Sequence, residues 1–590
     1  MSTQVNVHQV FARYFKDPTI EPYLFELSRM LAEGHICYDP TLIDVEELKQ
    51  AGYDQLPDLN ALTKSPLISD GNQHTPFVLI NNNLYMQRYY YYESLVLERI
   101  KEFILEENKT RSERFKKILD LKEIIAGLFG SKHMQQGPVD WQLMAALTAV
   151  LHDFSIITGG PGTGKTTTVA KVLALLLHMN RALKIALCAP TGKAAARMAE
   201  SLRYAGKDSA PFIKDVFEAL KPATIHRLLG SSEHNVRFKH NRENPLLADI
   251  VIVDEASMID VALMAKLMDA IGQGTKLILL GDKDQLASVE AGSLFGDLCK
   301  ALPVLNEFSN GYLDDLKSLL PEGTILPARG DNRGANHLLY EHIVELKYSH
   351  RFSDQKGIGK LSKAILNNQP DKIAGFFDNL DEEVKIDSSY DKRLFEDFVM
   401  GYLDFIKEKD IKVALKKINQ LRVLAAVRET AQGVHAINAA IEKILKQKAG
   451  LKPYSIFYEN RPIMVTSNNH QLGLFNGDIG IIRAAEDGIM RAWFEAADGS
   501  LKSVLPGFIN SMETAFAMTI HKSQGSEFNQ VMILLPEKKQ AERMMTRELL
   551  YTAVTRAKEK VIIQGSQEAI LSAAAIGIHR GSGVIKRLCK

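Results

Sequence analysis

The segment Gly159-Gly160-Pro161-Gly162-Thr163-Gly164-Lys165-Thr166 decides the fold of this 590-residue chain. The apolar run 154–158 precedes it and a helical pattern over 167–177 follows it, which predicts a strand, a glycine-rich turn and a helix. Glycines let backbone N–H groups surround an anion, and the helix N-terminus adds the positive end of its dipole. The lysine reaches the outer phosphates and the threonine hydroxyl ligates Mg²⁺. The segment therefore predicts a site for a nucleoside triphosphate; a glycine turn without a ligand is the alternative that these flanks disfavour.

Composition indicates a folded protein of about three to five domains. Hydrophobic residues make up 46% and charged residues 24% of the chain, and the formal net charge is +1. These values exclude a charged tail or a polyelectrolyte. Any groove that binds nucleic acid must therefore be a local concentration of positive charge.

The four cysteines are far apart in the sequence and lack the paired spacing of a metal site or a disulfide framework: Cys37, Cys188, Cys299 and Cys589. We expect reduced thiols. The N-terminus has no basic segment followed by an apolar core, and no apolar run approaches the roughly 20 residues that span a bilayer. These observations predict a cytoplasmic protein without a membrane partner.

The order of short apolar runs and helical patterns predicts an α/β protein of three units. Residues 1–110 are α-rich, with a hairpin at 76–86. Residues 111–345 and 346–590 each alternate strands with helices, which is typical of parallel sheets covered on both faces. Within the second of these, 453–508 contains short β-rich runs and predicts a small all-β insertion resembling a barrel. Ligands bind at the carboxyl ends of parallel strands, so we expect the site there.

Two acidic residues end the apolar run Val251-Ile252-Val253. Asp254 suits a Mg²⁺ ligand, and Glu255 suits a group that orients or deprotonates a water. An Asp-Glu pair also caps helices, but the glycine-rich segment upstream favours the catalytic interpretation. Gln285, at the end of the next strand, is predicted to sense the γ-phosphate; a simple polar turn is its alternative.

Arg351 and Arg556 lie in the second alternating unit. An arginine supplied across a cleft stabilises the transition state of phosphoryl transfer, which raises the rate by about 10³–10⁵. Surface arginines are common, so this role depends on the family to which the motifs belong.

Eight motifs occur in a characteristic order: GGPGTGKTTT, APTGKAAARM, TIHRLLG, VIVDEASM, LLGDKDQLASVEAG, SHRF, TIHKSQGSEF and YTAVTRAKEKV. In this order they resemble superfamily 1 helicases of the 5′-to-3′ branch, and within it the RecD subunits of exonuclease V (RecBCD) complexes. The motifs span 142–558, and the ending Arg580-Gly581-Ser582-Gly583 is similar to RecD as well. The resemblance implies two RecA-like P-loop domains that use ATP and Mg²⁺ to drive a DNA helicase.

The resemblance also implies roles for individual residues. Lys165, Glu255, Gln285, Arg351 and Arg556 would be catalytic, and Thr166 and Asp254 would hold the metal. The nucleotide would contact Gln142, Gly159, Gly160, Pro161, Gly162, Thr163, Gly164, Lys165, Thr166, Thr167, Gly525 and Glu527. The DNA strand would contact Pro190, Thr191, Lys193, Thr224, His226, Thr519, His521 and Lys522. Residues 230–248 lie where this branch carries a small hairpin.

Residues 1–110 resemble the domain by which RecD subunits dock on their partners. The resemblance therefore implies RecB-like and RecC-like subunits in a heterotrimer that acts on single-stranded DNA and duplex ends in double-strand break repair and homologous recombination. No nuclease signature is apparent, so nuclease activity is expected in a partner chain. A stand-alone RecD-like helicase, an RNA helicase of the related branch and a nucleotide-switched scaffold remain alternatives; a small-molecule P-loop kinase is disfavoured by the length and by the second alternating unit.

Overall fold

The computed structural model describes residues 6–54, 58–129, 139–231, 237–320, 324–328, 337–430, 432–453, 455–469, 471–496, 499–536 and 545–588. Three units follow one another in the chain, and the second and third are each built on a parallel sheet. The α/β fold class is thereby confirmed.

The N-terminal unit packs four helices against a four-stranded sheet of order β1-β4-β3-β2. Its elements are α1 (Val7–Tyr14), α2 (Glu21–Ala32), β1 (Cys37–Tyr38), α3 (Val45–Gln50), α4 (Asn60–Lys64), β2 (Ile68–Ser69), β3 (Phe77–Ile80) and β4 (Asn83–Met86). The predicted hairpin is confirmed, since Phe77 pairs with Met86 in antiparallel register. Asn81 and Asn82 form its turn with φ of 51° and 61°, a conformation that asparagine tolerates.

A single 33-residue helix, α5 (Gln87–Leu119), joins the N-terminal unit to the first parallel domain. It crosses the predicted domain boundary at residue 110, so the two units share an element. Val96, Ile100 and Phe103 of this helix are buried in the core of the parallel domain.

The first RecA-like domain contains six parallel strands in the order β10-β5-β9-β8-β6-β7. Its elements are α6 (Lys122–Phe129), α7 (Trp141–Leu151), β5 (Phe154–Thr158), α8 (Lys165–Met179), β6 (Ile185–Ala189), α9 (Gly192–Ala205), α10 (Pro211–Ala219), β7 (Ala223–Thr224), α11 (Ile225–Leu228), β8 (Ile250–Val253), α12 (Val261–Ala270), β9 (Lys276–Gly281), α13 (Leu294–Lys300), α14 (Asn310–Leu319) and β10 (Ile343–Glu345). Strands β5, β8 and β9 are fully buried, as expected for a sheet covered on both faces.

The second RecA-like domain and its insertion contain ten strands. The elements are α15 (Gly357–Leu366), α16 (Pro370–Ala374), β11 (Val384–Asp387), α17 (Lys392–Met400), α18 (Leu403–Lys407), α19 (Ile411–Ile418), β12 (Leu421–Ala425), α20 (Val434–Ala449), β13 (Arg461–Val465), β14 (Ile479–Ala484), β15 (Met490–Glu495), β16 (Leu501–Val504), β17 (Met512–Thr514), β18 (Ala517–Thr519), β19 (Phe528–Leu534), α21 (Arg547–Val554), β20 (Ala557–Gln564), α22 (Gln567–Ala575) and α23 (Val584–Leu588).

These strands form two sheets. The parallel sheet has the order β11-β20-β19-β12-β18, and the insertion is an antiparallel sheet of order β16-β15-β14-β13-β17. The strands of the insertion form an all-β unit, as predicted. This unit also includes β17, which lies beyond the predicted boundary at residue 508. Its closure into a barrel stays a prediction.

The segment predicted to carry a hairpin is described only in part. Residues 232–236 lie outside the described ranges, and the remainder contains one antiparallel bridge between Asn241 and Asn244. Among the described helices, none combines the length and the apolar character that crossing a membrane requires.

The C-terminal residues return to the N-terminal unit and bind α5 there. Arg587 Nη1 lies 2.9 Å from Glu93 Oε1, and the Gly583 N–H donates to Glu93 Oε2 at 2.9 Å. The Glu93 side chain is buried, and the Ile36 N–H donates to Gly581 O at 3.0 Å. The C-terminal segment 581–587 thus joins the second parallel-sheet domain to α5 and to the N-terminal unit.

We expect Arg587→Ala to destabilise the protein by about 3–5 kcal/mol, because it leaves a buried carboxylate without its cation. Burial raises the pKa of Glu93, so the folded variant binds more protons than the unfolded chain and its stability falls as pH rises from 5 to 8. Thermal unfolding at both pH values measures this. Lys117→Ala, which breaks an exposed pair with Glu113 on the same helix, is the control and should cost less than about 1 kcal/mol. Equal shifts in the two variants contradict the prediction.

Candidate active site

The cavity between the two RecA-like domains has a volume of about 1090 Å³. It lies at the carboxyl ends of β5, β8 and β9 in the first sheet, as predicted, but at the amino ends of β19 and β20 in the second, which Glu527 and Arg556 directly precede. Most of the predicted nucleotide and catalytic residues line it: Gln142, Pro161, Gly162, Thr163, Gly164, Lys165, Thr166, Thr167, Asp254, Glu255, Gln285, Arg351, Glu527 and Arg556. Gly159, Gly160 and Gly525 belong to the same loops and do not line the cavity themselves. Residues separated by about 400 positions therefore surround one space.

The glycine-rich loop depends on two left-handed backbone positions. Gly162 and Gly164 have φ of 78° and 87°, which other residues rarely adopt. The Gln142 side-chain amide donates to Thr163 O at 3.1 Å. Lys165 Nζ donates to Gly159 O at 2.7 Å and to Gly160 O at 3.2 Å. The lysine ammonium is thus held against the loop that a phosphate would enter.

We expect Gly164→Ala to abolish nucleotide binding, because a Cβ at this position would overlap the Gln142 amide and the left-handed φ is strained for alanine. The strain costs about 1–3 kcal/mol. Gly127→Ala is the matched control, since Gly127 lies in α6 with no atom within 4 Å of the added Cβ; it should stabilise the helix by about 0.5–1 kcal/mol. Fluorescent-nucleotide titration of both variants checks this. A Gly164→Ala protein that binds nucleotide normally contradicts the geometry.

Two acidic groups end strands β8 and β9. Burial and the neighbouring charge of Glu255 raise the pKa of Asp254 to about 6, against the opposing charge of Lys165. Glu255 itself has φ 51°, an uncommon conformation for a non-glycine residue that turns the chain away at the strand end. Asp282 accepts from Gln285 Nε2 at 2.9 Å and from the Tyr551 hydroxyl at 3.1 Å. The Thr166 hydroxyl and the Asp254 carboxylate offer oxygen ligands at one cavity, which is the donor type that Mg²⁺ prefers.

We expect the hydrolysis of nucleotide to fall as pH is lowered through 6. The pKa of Asp254 lies above its ordinary value, so the group takes up a proton below about pH 6 and loses the charge that a cation needs. A pH-rate profile measured at two Mg²⁺ concentrations checks this, since more Mg²⁺ should compete with the proton and move the midpoint lower. A midpoint that does not respond to Mg²⁺ contradicts the assignment of Asp254.

Arg351 is held directly against the glycine-rich loop. The Ser349 hydroxyl donates to Pro161 O at 3.0 Å and the His350 N–H donates to Gly162 O at 2.8 Å. Arg351 Nη2 lies 2.6 Å from Glu527 Oε1. Its other terminal nitrogen, Nη1, is buried without a hydrogen-bond partner in the described part of the chain. A buried donor without a partner is costly, and Arg351 lines the cavity, so a shift of the guanidinium toward the cavity would give this nitrogen an anion as its partner.

Arg556 is fixed by backbone carbonyls. Its Nε donates to Thr552 O at 3.0 Å and its Nη1 donates to Ser526 O at 3.2 Å. The side chain is 3% exposed and lines the same cavity as Lys165. Both arginines that were predicted to act across the cleft therefore line the cavity. Arg351 is held there because its neighbours Ser349 and His350 donate hydrogen bonds to the glycine-rich loop.

Sequence reasoning missed several groups that join the two domains. Arg197 of α9 forms an ion pair with Glu527, and its Nη1 donates to Gly525 O at 3.2 Å. The Gln524 amide donates to Leu286 O at 2.6 Å and the Leu286 N–H donates to Thr552 Oγ1 at 3.0 Å. Arg197 stands inside the quoted motif APTGKAAARM, four residues after Lys193, and that helical spacing is the signal that was available.

The predicted strand-contact threonines share one structural position. Thr191, Thr224 and Thr519 each end or follow a parallel strand, and each side chain accepts a backbone N–H three residues later: from Ala194, Arg227 and Lys522, all at 3.2 Å. Pro190 precedes the first of these caps. The threonines are outside the nucleotide cavity, at the carboxyl ends of β6, β7 and β18.

The predicted strand-contact cations have protein partners in this structure. Lys193 Nζ donates to Ser526 Oγ at 2.9 Å across the domain boundary, and burial lowers its pKa to about 8. Lys522 is paired with Glu513. His226 lies edge-to-face with Phe238 at 5.7 Å between ring centroids, and burial lowers the pKa of His521. A phosphate that bound to Lys193 or Lys522 would have to replace the present partner.

Known protein families match a segment of each of the two parallel-sheet domains. Residues 142–291 match the AAA domain family and 514–564 match the UvrD-like helicase C-terminal domain. The RecBCD enzyme subunit RecD of Mycobacterium tuberculosis is 34% identical over 586 residues, which cover 95% of this chain and 89% of that protein. The ATP-dependent RecD2 DNA helicase of Deinococcus radiodurans is 26% identical over 430 residues, 72% of this chain and 48% of that one. A crystal structure of Bacteroides Pif1 bound to ssDNA is 16% identical with a TM-score of 0.38, over 74% of this chain and 94% of that one.

Proposed function

This chain belongs to the RecD family of RecBCD enzyme subunits and is an ATP-dependent DNA helicase, and we propose that it moves 5′ to 3′ along one strand of a DNA duplex end. The observation that supports a motor driven by ATP is the convergence of Lys165, Asp254 and Glu255 from one RecA-like domain with Arg556 and Glu527 from the other on a single cavity. The proposed direction rests on the resemblance of the motifs to the 5′-to-3′ branch. A nucleotide in that cavity would contact both domains, so hydrolysis would change how the domains are held together.

The cavity residues suit ATP hydrolysis in named roles. Lys165 and the backbone N–H groups of the glycine-rich loop would bind the phosphates, and Thr166 with Asp254 would hold Mg²⁺, which neutralises the developing charge. Glu255 would orient the attacking water and accept its proton. Arg351 and Arg556 would stabilise the transferring phosphoryl group, and Gln285, which is held by Asp282, would sense its presence.

The single DNA strand would bind along the carboxyl ends of the β-strands in the two sheets. The caps at Thr191, Thr224 and Thr519 leave backbone N–H groups at that edge, and such groups bind phosphates without reading bases. His521 and Lys522 follow the last cap directly. This edge therefore suits a motor that tracks the sugar-phosphate backbone and ignores sequence.

The N-terminal unit would dock on RecB-like and RecC-like subunits. Three apolar residues of α1, at i, i+3 and i+7, are exposed: Val7 at 66%, Val10 at 54% and Tyr14 at 78%. An exposed apolar stripe of this kind marks a surface that another chain covers. In such a complex the helicase would act in double-strand break repair and homologous recombination, with the nuclease of exonuclease V on a partner chain.

A strand-separation assay tests the direction of movement. We expect the purified protein to separate a DNA duplex that carries a 5′ overhang and to leave a 3′-overhang duplex and the matched RNA duplexes intact. Separation from the 3′ overhang contradicts the proposed polarity, and equal activity on RNA favours the related RNA-helicase branch. If single-stranded DNA does not accelerate ATP hydrolysis, the chain is a nucleotide-switched scaffold instead.

Purification of the untagged protein from its native cell tests the assembly. A stable complex with two larger chains agrees with the RecB-like and RecC-like partners, whereas a monomer that is fully active supports the stand-alone helicase. A triple variant of the α1 stripe, Val7→Ser with Val10→Ser and Tyr14→Ser, should lose the complex and keep its own DNA-stimulated ATP hydrolysis, because no residue of α1 lines the nucleotide cavity.

A further inference from the structure

Helix α9 connects the sheet edge that is proposed to bind DNA with the nucleotide cavity. It begins directly after the Thr191 cap, and its side chains at positions 193 and 197 lie one turn apart on the face that meets the second domain. Lys193 Nζ donates to Ser526 Oγ at 2.9 Å, and Arg197 Nη1 donates to Gly525 O at 3.2 Å. A movement of the first turn of α9 therefore reaches the loop 525–527.

Glu527, at the end of that loop, is shared by three cations. Its Oε1 lies 2.6 Å from Arg351 Nη2, its Oε2 pairs with Arg197, and Lys558 Nζ lies 3.4 Å away. Burial opposes its ionisation, yet Arg197 and Arg351 outweigh burial and hold the pKa of Glu527 at about 2. The Glu527 carboxylate is thus surrounded by three cations, Arg351, Arg197 and Lys558.

The two carboxylate oxygens are divided between the two arginines. Arg351 therefore makes a one-point contact with Glu527 and keeps Nη1 buried without a partner among the described residues. An arginine that meets a free carboxylate prefers a two-point contact through both terminal nitrogens. The second arginine is what leaves Arg351 with a donor to spare.

We propose that Arg197 is a positioning residue that shares Glu527 with Arg351, keeps Arg351 Nη1 available to the γ-phosphate, and so transmits strand contact at the start of α9 to ATP hydrolysis. This inference rests on the proposed function. Without Arg197, Oε2 is released and Arg351 closes on both oxygens of Glu527, away from the nucleotide. Lysine at position 197 keeps the charge and only one donor group, so it restores part of the effect.

Steady-state ATP hydrolysis of the protein, purified with any subunits that remain bound to it, tests the proposal with and without a saturating oligo-dT strand. For Arg197→Ala we expect both kcat values to fall, because Arg351 turns away from the γ-phosphate, and the stimulated kcat to fall about tenfold or more beyond the unstimulated one, because strand contact no longer reaches Arg351; strand affinity by fluorescence anisotropy should stay within about threefold of wild type. Arg197→Lys should recover part of the ratio. Arg181→Ala, an exposed arginine of the same domain that lies over Phe212, is the control and should match wild type. An equal fall of both rates in Arg197→Ala indicates a merely structural role and overturns the proposal, as does an unchanged ratio.

A double-mutant cycle shows whether Arg197 acts through Glu527. Glu527→Gln releases both arginines, so adding Arg197→Ala to it should change the stimulated kcat by less than about twofold. Losses that multiply across the two sites overturn the proposal. A wild-type protein that no DNA strand stimulates contradicts the proposed function itself, whereas a stimulated wild type with a multiplicative cycle contradicts only the role of Arg197.

Discussion

Lys165→Gln should eliminate DNA-stimulated ATP hydrolysis, a loss of about 10²–10³-fold or more. Lys165 is the only cation that the glycine-rich loop itself supplies, and its ammonium already lies 2.7 Å from Gly159 O inside the loop. Glutamine has a similar length and donates a hydrogen bond, but it brings no charge to the phosphates. A coupled ATPase assay at saturating DNA measures the loss.

The same protein should still bind single-stranded DNA, because the proposed strand contacts lie outside the nucleotide cavity. Lys184→Gln, an exposed lysine of the same domain, is the control for the removal of a positive charge and should keep both activities. Retained hydrolysis in Lys165→Gln would falsify the role assigned to this lysine, and a parallel loss of DNA binding would show that the variant is misfolded.

Arg351→Ala should lower kcat by about 10³–10⁵, the range that a transition-state arginine contributes to phosphoryl transfer. Its guanidinium is positioned by the loop that binds the phosphates and has one buried terminal nitrogen without a partner in the described structure. Alanine removes that donor and also leaves Glu527 to Arg197 and Lys558. Single-turnover hydrolysis at saturating ATP measures the chemical step separately from nucleotide binding.

Arg351→Lys separates charge from geometry. Lysine restores a positive charge without the planar fork, so we expect it to remain well below wild type and above alanine. Arg181→Ala is again the control for loss of an exposed arginine. A reduced ATP affinity with an unchanged single-turnover rate in Arg351→Ala would mean that this arginine binds the ground state and does not act in the transition state.

Much of the fold follows from local sequence. Apolar runs that end at glycine or acidic residues predicted β5, β8 and β9 and the sheet edge at which they finish, because a buried parallel strand needs a continuous apolar segment. The turn at Asn81 and Asn82 could also be predicted, since asparagine tolerates positive φ. The domain boundary at 110 was harder to read, because the charged stretch near it belongs to a continuous 33-residue helix whose apolar face is buried farther upstream.

Some residues of the candidate site could likewise be predicted from their local sequence, and others could not. Lys165, Asp254 and Glu255 stand directly after strands, so their arrival at one edge follows from the topology of a parallel sheet. Arg351 and Arg556 were predicted from family motifs, and nothing in their local pattern distinguishes them from surface arginines. The pairing of Arg197 with Glu527 joins positions 330 residues apart, and the helical spacing of Arg197 from Lys193 does not indicate which residue is its partner.

Two parallel-sheet domains, a nucleotide loop and a set of acidic and cationic residues at strand ends could be predicted from the residues alone, because spacing and residue type act over a few neighbouring positions. The pairing of charges depends on how the chain packs. Glu107 forms hydrogen bonds with His152 and His342 at 3.0 and 2.7 Å in a buried cluster. Glu93 forms an ion pair with the C-terminal Arg587, and the two carboxylate oxygens of Glu527 bind two different arginines. Such partners are chosen by which side chains the packed core brings within hydrogen-bond distance, and burial then makes each unmatched charge costly.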